Sequence, residues 1–267
     1  MRKVWQFMTL STPSAKRVTR GLYVLFRLVT LGMLVNQLYL QRWGGVGILL
    51  LALLCFAVPW GITKWLRIEI PNLFEGFIIC FIFSAMILGE MHNFYNTFRL
   101  WDTALHTVNG FLAAGVGLSL VELLNHNVKH LKLSAVFVAV LTFSFSMTIG
   151  VLWEFGEYAA DSYLGLDMQK DRIVRQINTV ALGDDDTRVH IPNIEKTEIY
   201  HRGSDGQTQV TTVPGGYLDI GLHDTMKDLI VNLVGAVVFS LFAYFYELSN
   251  TQRFRFIRHF VPKRVRK

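Results

Sequence analysis

The sequence is short of charge: only 17% of its 267 residues are Asp, Glu, Lys or Arg, against roughly 25% in soluble domains. That deficit excludes an ordinary water-soluble enzyme and a disordered chain. Cysteine is nearly absent, and Cys55 and Cys80 both fall inside apolar blocks, which excludes the disulfide framework of a small secreted module. No P-loop, dinucleotide glycine motif, nucleophile elbow, HExxH or CxxC occurs, so the cofactor classes those motifs serve gain no support. Internal repeats and low-complexity tracts are also missing.

What remains is hydrophobic. Apolar residues make up 52% of the chain and aromatics 13%, with a mean hydropathy of +0.35. They gather into six blocks, Gly21 to Leu40, Gly44 to Thr63, Leu73 to Met91, Thr103 to Leu124, Ser134 to Ala160 and Asp224 to Leu248, each near the ~20 residues that cross a bilayer core of roughly 30 Å. The expected fold is an all-α polytopic membrane protein of about six transmembrane helices with a small extracytoplasmic cap containing a β-hairpin. Residues 1–20 form a basic cytoplasmic segment, 21–160 carry helices one to five, 161–223 the cap, 224–248 the sixth helix and 249–267 a basic cytoplasmic tail. The first block has no small-residue cleavage site and reads as a retained signal anchor. Trp43, Trp60, Trp65, Trp101 and Trp153 stand near block ends, where indole rings suit the headgroup level.

Basic residues set the expected orientation, because Lys and Arg resist translocation. With both termini inside, the cytoplasmic side holds Arg2, Lys3, Lys16, Arg17, Arg20, Lys64, Arg67, Lys129, Lys132 and seven cations after Leu248, whereas the short outer loops hold only Arg42 and Arg99. The net charge of +6 is thus mostly cytoplasmic and argues for anionic lipid as partner, not nucleic acid. The tail from Arg253 to Phe260, interleaving Phe and Arg, is expected to lie on the inner leaflet.

Within the cap, Asp167 to Ala181 places Met168, Ile173, Val174 and Ile177 at near-helical spacing, predicting a short amphipathic helix. Lys196 to Arg202 and Gln207 to Val213 flank Gly203-Ser-Asp-Gly206 and predict a hairpin, after which Pro214-Gly215-Gly216 returns the chain to the membrane.

Ionisable residues inside the blocks carry the functional signal. Glu75, Glu122 and Glu247 lie near expected cytoplasmic ends, where they can snorkel. Glu90 and His92, Asp102 and His106, Glu154 and Glu157, and Asp224 and Asp228 each sit at the outer end of a block. Asp102 and His106 share a helix face at i,i+4, Glu154 and Glu157 at i,i+3, and Asp224, Asp228 and Asn232 at i,i+4,i+8. Asp102 and Asp224 precede Thr103 and Thr225 and also read as N-caps. Glu154, Asp228, His106 and Asn232 lie one to two turns deeper, where an unpaired charge costs a few kcal/mol. Five acids facing Lys227 and His106 require protonation, a water-filled cavity or an outside cation.

Three segments resemble the motifs of the YjdF-like and VanZ-like families of small bacterial membrane proteins: Asp102-Thr-Ala-Leu-His106, the run from Gly150 through Trp153-Glu154 to Glu157, and Asp224 to Gly235 in the pattern D-x3-D-x3-N-x2-G. The match covers Trp101 to about Ala236, and Glu157 favours the YjdF-like branch over members with Gln there. The resemblance implies a bacterial cytoplasmic-membrane protein of no settled activity, loosely linked to the envelope.

Three classes of function stay open. In a metal-dependent hydrolase or transferase, His106, Glu154, Asp224 and Asp228 would bind a divalent cation, Mg²⁺, Mn²⁺ or Fe²⁺, that polarises a lipid-linked envelope substrate. In a proton-coupled transporter the acids would relay protons. In a non-catalytic protein the polar cluster of Asp102, His106, Glu154, Glu157, Asp224, Asp228 and Asn232 would specify helix packing alone.

Overall fold

The computed structural model describes residues 9–66, 68–127, 133–248, 256–257, 259–260 and 263–264. Of the basic residues that set the expected orientation, Arg2, Lys3, Arg67, Lys129, Lys132, Arg253, Arg255, Arg258, Arg266 and Lys267 lie outside these. Six helices are long and apolar enough to cross a membrane, Arg17–Tyr39, Trp43–Trp65, Asn72–Met91, Trp101–Glu122, Ala135–Leu164 and Leu222–Leu248. Helix is the form such blocks take because hydrocarbon offers no partner to backbone polar groups, and a helix satisfies its own.

The chain divides into two compact units, one of residues 1–151 and 228–267 and the other of residues 152–227. In the first, α1 (Arg17–Tyr39) is followed by α2 (Trp43–Cys55) and α3 (Val58–Leu66), which together make the second span. Pro59 explains the break: it lacks the N–H that would bond residue 55 and its ring crowds that carbonyl. The loosened turn leaves the Phe56 carbonyl to accept from Arg27 Nη2 at 2.8 Å. After β1 (Ile68–Glu69), α4 (Asn72–Phe83) runs on as a π-helical segment, Ser84–Met91. The short α5 (Phe94–Thr97) leads to α6 (Trp101–Asn127), α7 (Ala135–Leu164) and finally α8 (Leu222–Leu248); the second unit takes the end of α7 and the start of α8.

Small residues set the helix spacing. A Cβ on Gly110 of α6 would stand 2.1 Å from the Asn232 carbonyl oxygen, and one on Gly235 of α8 would stand 2.0 Å from that of Thr107. Backbones in such contact tolerate no side chain, so Gly110 and Gly235 serve packing within the chain. The main core gathers Phe74, Leu112, Leu118, Val138 and Phe239 with Ile257 and Phe260 from the tail. Phe260 lies 5.6 Å from Phe74, 5.7 Å from Phe111 and 5.8 Å from Phe239 between ring centroids. Its carbonyl accepts from Ser119 Oγ at 3.2 Å. Further on, β8 (Lys263–Arg264) pairs antiparallel with β1. The described part of the tail thus enters the bundle, contrary to the expected surface position, because Ile257 and Phe260 find an aromatic core that removes them from both water and headgroups.

The second unit contains β2 (Arg172–Val174), β3 (Ile177–Thr179), β4 (Val189–Ile191), β5 (Lys196–Arg202), β6 (Thr208–Pro214) and β7 (Tyr217–Asp219). β5 and β6 form the expected hairpin in the register Lys196↔Pro214 to Arg202↔Thr208. Its turn closes through Gly206, at φ +76°, with Gly203 N–H donating to Gln207 at 2.9 Å. The expected amphipathic helix over residues 167–181 is absent. Its β-branched Ile173, Val174 and Ile177 pair instead with Leu218, Tyr217 and Ile191, and the Asp161 carboxylate takes the Met168 and Gln169 N–H groups at 2.6 and 2.7 Å, which favours extended chain over a helical turn.

Candidate metal centre

α6 opens at Trp101, so Asp102 and His106 project from one face of its first two turns. α8 brings Asp228 to the same place. His106 Nε2 lies 3.4 Å from Asp102 Oδ1 and 3.7 Å from Asp228 Oδ2. One ligand atom from each residue lies within 4.8 Å of the others, the one such group among the described residues. Asp228 is 1% exposed, while Asp102 and His106 remain half-buried. A single ion holding oxygen and nitrogen at about 2.0–2.2 Å spaces its ligands up to about 4.4 Å apart, so small rotamer movements would close this trio around one cation. Two carboxylates and an imidazole form a hard, mainly oxygen donor set suited to Mg²⁺, Mn²⁺ or Fe²⁺.

One turn further in, the polar face continues. Asn109 Nδ2 donates to Asn232 Oδ1 at 3.2 Å, and Asn232 Nδ2 approaches Met147 Sδ at 3.7 Å. Asn232 is 1% exposed and fits because Gly150 faces it: a Cβ there would stand 2.6 Å from its Nδ2. Asn109 was not singled out in the sequence, although it follows Asp102 at i+7 on the same stripe.

The other expected members lie in the second unit. Glu154 and Glu157 are buried on the last turns of α7, where Glu157 Oε1 accepts from Trp153 Nε1 at 2.7 Å. Asp224 does not act as the expected cap of its helix. It accepts the Lys170 N–H at 2.9 Å and lies 3.2 Å from Arg172 and 3.6 Å from Lys227. The cap comes from Asp219, whose Oδ2 accepts the His223 N–H at 2.9 Å. Of the four expected metal ligands, His106 and Asp228 belong to the trio, and Asp102 supplies its third donor. Glu90, inside the π-helical segment, and His92, just beyond it, are exposed.

Near the opposite end of α6, one of the acids expected to snorkel is satisfied internally. Glu75 is fully buried and accepts from Thr12 N–H at 3.0 Å, Thr12 Oγ1 at 2.5 Å and Tyr23 OH at 3.0 Å. Arg27, also fully buried, stands over the Tyr23 ring at 4.7 Å and donates to the Leu10 carbonyl at 2.6 Å. Glu122 is half-buried beside Glu247. Arg27 was legible as a lone cation inside an apolar span. In the second unit, slight desolvation first, then the carboxylates of Asp167, Asp161 and Asp219, push the exposed Asp171 above its ordinary value against the pull of Lys170.

No curated protein and no solved structure matches the chain. A family model described as predicted membrane protein (DUF2238) matches residues 18–249. With six apolar helices on which that match lies, the chain belongs to the DUF2238 family of predicted membrane proteins.

Proposed function

We propose that this multi-pass membrane protein holds a divalent cation between Asp102, His106 and Asp228 and uses it on a lipid-borne substrate. The observation that supports the reading is the convergence of three ligand atoms from two helices within 4.8 Å, around a carboxylate that is 1% exposed. A cation there would supply Lewis-acid polarisation of a phosphate or ester oxygen, the chemistry of a hydrolase or transferase acting on an envelope lipid. The protein's own part is to fix two oxygens and one nitrogen on rigid helices. On this reading the trio and the hairpin face the outside of a bacterial cytoplasmic membrane with both termini inside, in keeping with the positive loops and the YjdF-like and VanZ-like motifs. Asp224, engaged with Lys170 and Arg172 in the second unit, supports the cap instead of ligating.

Elemental analysis of purified protein in mild detergent tests the cation. Stoichiometric metal in wild type and none in Asp228→Asn is expected, and absence from both samples would remove the reading. Reaction of Ser204→Cys, but not Ser249→Cys, with an impermeant thiol reagent added from outside is expected for the orientation.

A second reading has its own support. Asn232, held by Asn109 and seated against Gly150, belongs to a buried polar network that also specifies helix packing. Retained folding of Asp228→Asn without any cation effect would favour it.

A further inference from the structure

Between α4, α6 and α7, inside the first unit, lies an apolar groove of about 240 Å³. α4 lines it with Ile78 and Phe81, and α7 with Phe145 and Ile149. On α6 its residues are Asn109, Leu112, Ala113 and Val116. Asn109, Ala113 and Val116 continue the line begun by Asp102 and His106, since successive steps of four, three, four and three residues keep to one helix face. That face is therefore polar over its first two turns and apolar beyond Asn109. Val116, 36% exposed, leaves the groove open at its inner end. The helices around it are spans, so hydrocarbon is what this opening meets.

The dimensions fit one molecule class. Ten residues separate His106 from Val116, about 15 Å of helix, which is half of a bilayer core roughly 30 Å thick. An amphiphile with its headgroup beside His106 and its chain along Ala113 and Val116 would therefore occupy one leaflet. A cation held by three protein ligands keeps coordination positions for a phosphate oxygen.

We infer that the groove seats an acyl chain of a membrane phospholipid whose phosphate is held by the cation at Asp102, His106 and Asp228. This assignment rests on the cation reading above and names the ligand of that site. Phospholipid is the occupant because the groove opens sideways into the bilayer that surrounds it. Ala113, 7% exposed, leaves room where a larger residue would fill the trough, and Asn109, tied to Asn232, marks where the polar half ends.

Native mass spectrometry of the full chain, with phosphatidic acid added in the presence of Mn²⁺, tests the assignment. Wild type is expected to carry one lipid, with affinity rising from dihexanoyl to dilauroyl chains and flattening towards dioleoyl. Val116→Trp, which fills the inner end from an exposed position, is expected to weaken dioleoyl phosphatidic acid at least about tenfold, close to 1.4 kcal/mol, while its Mn²⁺ binding stays at the wild-type level. Val140→Trp, a control at an exposed position of α7 outside the groove, is expected to change neither. Affinity independent of chain length, or equal lipid binding by Val116→Trp and wild type, would overturn the groove while leaving the cation intact. Lipid binding that depends on chain length and on Val116 but not on Mn²⁺, in a protein that binds no Mn²⁺, would overturn the cation reading instead. Tenfold tighter binding of a polyprenyl phosphate than of phosphatidic acid would overturn phospholipid as the occupant.

Discussion

Asn109 donates to Asn232 at 3.2 Å, joining α6 to α8 one turn inside His106 and Asp228. Hydrogen bonds between membrane helices are modest, averaging about 0.6 kcal/mol with a maximum near 1.7 kcal/mol. A double-mutant cycle of Asn109→Ala and Asn232→Ala, followed by unfolding in detergent, is expected to return a coupling in that range. Strict additivity would mean that the two amides act separately.

The trio predicts a cation-dependent melting temperature. A ligand that binds only the folded state stabilises it by about 2.7 kcal/mol at one hundred times its dissociation constant. Mn²⁺ or Mg²⁺ should raise the melting temperature of wild type and of Glu154→Gln, but leave Asp228→Asn unmoved. Equal shifts in all three proteins would end the cation reading.

Gly235 faces backbone, which cannot swing aside. With a Cβ placed 2.0 Å from the Thr107 carbonyl oxygen, Gly235→Ala must push α6 and α8 apart, at a cost of about 1–3 kcal/mol or more. A lowered melting temperature is expected, and an unchanged one would show that the helices are further apart than described.

Glu75 predicts how the segment before α1 is held. Glu75→Ala leaves Thr12 and Tyr23 without their acceptor, at about 1–3 kcal/mol for each buried donor. Faster proteolytic cleavage around Thr12 is the expected result. Glu75→Gln, which keeps an acceptor oxygen, should protect the segment better, and identical cleavage of all three proteins would refute the tie.

Asp171 gives the second unit a pH dependence of definite sign. Its carboxyl is raised above the ordinary value by slight desolvation and by neighbouring carboxylates, so the folded form holds its proton more tightly than the unfolded one. The stability it contributes is complete below the ordinary carboxylate range and is lost as pH rises through the raised value. Because the residue is exposed, the effect is small. Amide exchange in β2 is expected to speed up slightly over that interval in wild type and to stay flat in Asp171→Asn. The same slope in both proteins would assign it to another group.

Much of this architecture was legible from composition, since blocks near twenty apolar residues have few other solutions. That Asp102 shares a face with His106, and Asp228 with Asn232, followed from helical period alone, but which faces meet depends on Gly110 and Gly235, whose contacts are set by residues more than a hundred positions away. Periodicity failed over residues 167–181 because Ile173, Val174 and Ile177 suit a strand as well as a helix, and their partners near Tyr217 and Ile191 are remote in sequence. The tail misled for a related reason. Alternating Phe and Arg reads as a surface segment until Phe74, Phe111 and Phe239 are known to leave a place for Phe260.

That place sets an order of assembly. Residues 256–264 leave the ribosome after all six spans have been made, so the helices must first meet with the position of Phe260 unfilled. The bundle can reach its final packing only when the last part of the chain turns back into it, which makes closure of the core a step that follows membrane insertion.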